Sequence, residues 1–139
     1  MNYLPLVFAL GVASTAVFTS QAANANTTVE CTLTDDKPAA RRDYVQCLDR
    51  KLELGQRQLE SWKNKRRFEL EGLAKSSGIT QPLDIYLRSE KSFVNYLEDS
   101  CRWRYLRMMP DAVAAAIAYK HCELRLIEQR ISTYQAPLD

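Results

Sequence analysis

Four cysteines carry most of the chemical potential of this sequence: Cys31, Cys47, Cys101 and Cys122. Thiols pair as disulfides or hold a metal, and their spacing separates the two uses. The gaps of 16, 54 and 21 residues contain no C-x-x-C pair. The single histidine, His121, stands beside Cys122, where the two side chains cannot easily face one ion on a helix. No metal or other cofactor is expected. An even cysteine count then reads as two disulfides made outside the reducing cytoplasm.

Catalytic constellations are equally sparse. A group poised near neutral pH is the usual requirement for acid–base or nucleophilic work, and His121 is the one side chain of that kind. Neither G-x-S-x-G nor H-E-x-x-H occurs. The carboxylate pairs Asp35/Asp36, Glu69/Glu71 and Glu98/Asp99 are adjacent or next-but-one, so on a helix they diverge and read as a solvated face. A non-enzymatic protein is expected.

Two clusters suit binding better. Lys63, Lys65, Arg66 and Arg67 place four cations within five residues, a local positive patch that could meet anionic wall polymer or lipid. Arg102, Trp103, Arg104 and Tyr105 combine the residue types enriched at interface hot spots. Trp103 and Tyr105 cannot both share the face that buries Phe93 and Leu97.

These residues need elements to position them. The apolar run Leu4 to Phe18, followed by small and polar residues to Asn26, has the layout of a secretory signal, although no Lys or Arg precedes it. Cleavage is expected after Ala25 in Ala23-Asn24-Ala25, with Ser20-Gln21-Ala22 as a second possible site. Residues 1–25 would be the signal peptide and 26–139 a single domain, destined for the periplasm or secretion. That domain keeps all 19 basic and 17 acidic residues, a net charge of +2. This is too near balance to argue for nucleic acid or a membrane surface, so membrane contact is expected only through the cleaved segment.

Within the domain the apolar periodicity is helical. After a short strap carrying Cys31, Asp35-Asp36-Lys37-Pro38 reads as an acidic cap ahead of a helix start. Val45, Leu48, Leu52, Leu59, Trp62, Leu70 and Leu73 then mark one face to Lys75. Gly55 fills the skipped slot, as a kink that breaks the helix in two or as a close approach of a neighbour. Ser76-Ser77-Gly78 stops this helix, and Thr80-Gln81-Pro82 starts another that buries Tyr86, Phe93, Leu97 and Cys101, with Glu90 as the polar exception, and ends near Met108. Pro110-Asp111 turns the chain into a third helix with Val113, Ile117, Leu124, Ile127, Ile131 and Tyr134 inward, closed by Pro137. Short connections favour antiparallel neighbours, so the fold class is all-α, a small antiparallel bundle of three main helices with two disulfides.

Cys47 lies about nine residues into its helix and Cys101 about seven before the end of its own, roughly 14 Å and 10 Å at 1.5 Å per residue. Matching those heights favours Cys47 with Cys101 and Cys31 with Cys122. The other two pairings stay open.

The order of a strap cysteine, Cys47-Leu48-Asp49-x-x-Leu52, Phe93 eight residues before Cys101 with an acid between, and Tyr119-x-x-Cys122 leading to Arg130 resembles the LprI-like lysozyme-inhibitor domain family. The likeness runs from Cys31 to about Tyr134. Phe93 stands where that family usually has Trp, Glu90 where it has Gln and Glu98 where Asp is common, and Met109-Pro110-Asp111 replaces a Gly-Gly-Ser turn. The resemblance implies a crosslinked helical domain that binds a lysozyme or another peptidoglycan hydrolase. Its alternative is a periplasmic structural, adaptor or immunity-type protein without lysozyme affinity.

Overall fold

The structure, a computed structural model, describes residues 30–136. The expected signal peptide and Pro137 lie outside the described residues. Three helices follow the strap: α1 over Pro38–Ser77, α2 over Gln81–Arg107 and α3 over Ala112–Gln135. The all-α bundle with two disulfides is the observed fold.

Local chemistry sets the helix ends. Lys37 is the N-cap of α1, with Pro38 in the first turn. No side chain caps that end; Asp35 instead accepts from the Lys37 N–H at 2.8 Å and so folds the strap into the helix start, in place of the expected acidic cap. Gly78 ends α1 at a φ of 75°, a left-handed conformation that glycine adopts without a Cβ penalty, and its N–H reaches the Ala74 carbonyl. Asp111 caps α3 by accepting from the N–H groups of Val113 and Ala114 at 3.1 and 2.9 Å.

α3 is the central helix. It buries Ala115, Cys122, Leu124, Leu126, Ile127, Ile131 and Tyr134, whereas α1 buries only Leu48 and Leu52, and α2 only Cys101. Contacts between α1 and α3 climb in step, from Arg41 with Asp111 through Tyr44 with His121 to Arg66 with Tyr134, so these two helices are parallel. α2 runs against α3, with Tyr105 beside Tyr119, Cys101 bonded to Cys122 and Glu90 joined to Arg130. α3 therefore needs two apolar faces. The single face read from Val113 to Tyr134 omitted Ala115 and Leu126 for that reason, Leu126 packing with Cys101 and Cys122 on the α2 side.

Gly55 is a close approach and not a kink. α1 continues unbroken for 40 residues, and a Cβ at position 55 would sit 3.3 Å from Ile127 Cγ2. Beside it Leu48, Leu52, Leu124, Ile127 and Ile131 form the larger core cluster.

The preferred disulfide pairing is corrected. Cys31 bonds Cys47, with Cα atoms 5.7 Å apart, and Cys101 bonds Cys122, at 5.4 Å. The expectation compared heights from the free ends of two helices assumed equal in length, but α1 has 40 residues and α2 has 27. Measured from their shared turn, Cys47 is 30 residues from Ser77 and Cys101 is 20 from Gln81. The two therefore differ in height by about 15 Å at 1.5 Å per residue. That exceeds disulfide reach. Each bond instead closes a local unit: the strap onto α1, and the α2–α3 hairpin onto itself.

Candidate functional site

The two binding clusters meet different fates in the fold. Around Lys63 to Arg67 the helix turns 100° per residue, so the four cations scatter instead of forming one patch. Lys63 pairs with Glu60 at 2.9 Å and faces Glu90 at 3.9 Å, while Arg66 pairs with Glu69 at 2.8 Å and donates to the Tyr134 carbonyl at 2.8 Å. Arg67 pairs with Glu71, and Lys65 lies over the Trp62 ring. Three of the four cations have carboxylate partners, and two help fasten α1 to the rest of the bundle.

That fastening centres on Glu90, the polar exception on the inner face of α2. Its Oε1 accepts from Arg130 and from the Tyr134 hydroxyl, both on α3, and its Oε2 faces Lys63 of α1. Tyr86 donates to the Lys63 carbonyl at 2.9 Å. The Arg130 guanidinium lies between the Phe93 and Tyr134 rings. Burial opposes its charge, but the Glu90 hydrogen bond and the Tyr134 hydroxyl outweigh that and leave its pKa raised. Burial, and then the neighbouring Glu90 carboxylate, push the Tyr134 phenol far above its ordinary value. One carboxylate thus ties all three helices, a structural duty that occupies the basic groups around it.

The segment from Arg102 to Tyr105 is arranged differently. Tyr105 turns inward and meets Tyr119 edge to face, with centroids 6.4 Å apart. Trp103 turns outward and is 50% exposed. The guanidinium carbons of Arg104 and Arg107 lie 4.4 and 5.8 Å from its ring centroid, a cation–π arrangement that holds the indole upright in water. Arg104 also donates to the Ser100 carbonyl of its own helix, and Arg102 makes a loose 3.8 Å pair with Glu98. Leu106, Met108 and Met109 are exposed next to this end of α2. The result is an apolar and cationic knob at one end of the bundle.

Arg104 links the knob to a second feature that the spacing of residues did not reveal. Between the amino-terminal part of α1, the end of α2 and the outer side of α3 runs an open cleft of about 440 Å³. Tyr44 Oη and His121 Nε2 share a 2.8 Å hydrogen bond in its wall. These residues are 77 positions apart, and only the parallel docking of α1 on α3 joins them. His121 is thus engaged with a phenol instead of standing free.

Asp111 is the remaining group of note. Hydrogen bonds from the Ala114 N–H and from the Arg41 side chain hold its carboxyl below the usual range. Among the described residues no cluster of three or more His, Cys, Asp and Glu side chains is placed to hold a metal, and no helix is long and apolar enough to cross a membrane. Two disulfides are the mark of a chain that folds outside the reducing cytoplasm. Comparison with protein-family models, with curated proteins and with solved structures finds no match.

Proposed function

We propose that this chain is an exported, non-enzymatic binding protein that inhibits a lysozyme-type peptidoglycan hydrolase, using the knob at the end of α2. The observation that carries this reading is the half-exposed Trp103 flanked by Arg104 and Arg107. Trp and Arg are the side chains that most often dominate binding energy once water is excluded around them.

The target chemistry suits such a knob. A lysozyme-type hydrolase works with two carboxylates in an open cleft, and an indole edged by guanidinium groups offers both an apolar plug and charges opposite to theirs. The Cys101–Cys122 disulfide and the Tyr105–Tyr119 contact fasten this end of α2 to α3 before binding, which lowers the ordering entropy lost on contact. The resemblance of the cysteine framework to the LprI-like family and the expected leader at residues 1–25 support the same reading and a periplasmic or secreted location.

The test is lysis of a cell-wall suspension by lysozyme in the presence of the oxidised, exported protein. Lysis should slow in proportion to inhibitor concentration, and Trp103→Ala should weaken the effect by about tenfold or more, the loss typical of a hot-spot residue. No slowing at large molar excess would overturn the reading in favour of an adaptor or immunity-type protein without lysozyme affinity.

A further inference from the structure

We infer that the cleft between α1, α2 and α3 is a binding site for a small organic anion, one with a carboxylate or phosphate head and an apolar body. The inference does not depend on the knob's being an inhibitor surface.

Charge in the cleft is unbalanced. Lys51 of α1, Arg104 of α2 and Arg125 of α3 all line it, against the single carboxylate of Glu128. Lys51 takes that carboxylate at 3.5 Å. Arg104 spends one N–H on the Ser100 carbonyl and stacks on Trp103, and Arg125 has no carboxylate partner among the described residues. Of the other acids near this part of the bundle, Asp49 holds Lys120, Glu123 lies beside that pair, and Glu30 and Asp43 line a different groove. Two guanidinium groups from different helices therefore border one cleft, Arg125 without a carboxylate partner among the described residues and Arg104 with N–H groups beyond the one given to Ser100.

That arrangement is specific about its guest. Guanidinium groups match the planar oxygen pairs of carboxylates and phosphates, and such charge-assisted bonds are about twice as strong as neutral ones. The cleft wall is not uniformly polar, because the half-buried Cys31, Tyr44 and Ala118 also line it, over a floor closed by the buried Leu48 and Leu124. A bare inorganic ion would leave that apolar surface wet, whereas an organic anion covers it. At about 440 Å³ the cleft has room for a small organic ion, held with one side open to solvent. The Tyr44–His121 pair stands in the wall as a hydrogen-bonding group that an anion's remaining oxygen can reach by exchanging one partner.

The experiment is an NMR titration of the oxidised protein with three probes: 4-phenylbutyrate, phenyl phosphate and inorganic phosphate. Saturable shifts of amide signals around His121 and Arg125 are expected with at least one organic probe, and whichever binds tighter identifies the head group. Arg125→Gln and Arg104→Gln should each weaken that binding by about tenfold, the loss expected for one charge-assisted contact. Both side chains lie at the surface or half-buried, and an unchanged circular dichroism spectrum confirms that the variants are folded. Arg125→Gln should leave inhibition of lysozyme intact, which separates this site from the knob. Absence of saturable shifts with both organic probes would overturn the proposal. So would equal binding of inorganic phosphate, or binding that neither substitution affects.

Discussion

Glu90 on α2 and Arg130 on α3 form the pair on which the three helices converge, with the Tyr134 hydroxyl bound to the same carboxylate oxygen. The side chains of Glu90 and Arg130 are 13% and 20% exposed. Removing one partner leaves the other charge half-buried and unmatched, which is more damaging than losing the pair altogether. Glu90→Ala should therefore destabilise the domain by about 2–4 kcal/mol. The double substitution Glu90→Leu with Arg130→Met should be more stable than Glu90→Ala, since packing replaces the ions. Urea unfolding of the three proteins checks the order, and a double variant weaker than the single one would count against it.

The two disulfides should respond differently to reductant. Cys101 is wholly buried and Cys122 is 3% exposed, whereas Cys31 and Cys47 are half-buried at the strap. Mild dithiothreitol followed by alkylation and mass spectrometry should label Cys31 and Cys47 first. By the chain-entropy relation, loops of these lengths, 16 and 21 residues, each contribute about 3 kcal/mol. Losing Cys101–Cys122 should be the worse of the two because it also opens a gap in the core.

Much of this fold is legible in the residues, and the failures have a common origin. The glycine stop at Gly78, the Pro-led starts of α1 and α2, and the inward faces marked by Leu48, Leu52, Cys101 and Ile127 are local signals that the helices obey. Pairing of the cysteines was not legible, because it depends on how far α1 overhangs α2. Dispersal of Lys63, Lys65, Arg66 and Arg67 was hidden for a similar reason: four cations within five residues look like a patch until Glu60, Glu69, Glu71 and Glu90 are placed around them. The Tyr44–His121 contact and the cleft with Arg125 are wholly products of helix docking.

Position 55 tests the docking of α1 on α3. Alanine there would gain helix propensity of about 1 kcal/mol but press on Ile127 Cγ2, so Gly55→Ala should change stability little. Gly55→Leu cannot be absorbed by a small shift and should destabilise by about 1–3 kcal/mol. Ile127→Ala should partly rescue it. Thermal unfolding of the single and double variants measures the coupling.

Asp111 supplies a pH dependence whose direction is set by its lowered pKa. The carboxylate form caps α3 and pairs with Arg41 at 2.7 Å, so its contribution is present above the carboxyl's unfolded pKa. It is lost as pH falls through the lower, folded value. Asp111→Asn retains a capping oxygen and removes the titration. Its melting temperature should lie below wild type at neutral pH, and the difference should shrink on acidification.

If the Trp103 knob grips a peptidoglycan hydrolase, as we propose, the contact has a measurable affinity. Titration of lysozyme with the oxidised protein in a calorimeter tests it directly. Saturable binding that Trp103→Ala weakens, while Arg125→Gln does not, is the predicted result. Heat no greater than dilution, or binding of equal strength in the Trp103→Ala protein, would contradict the account.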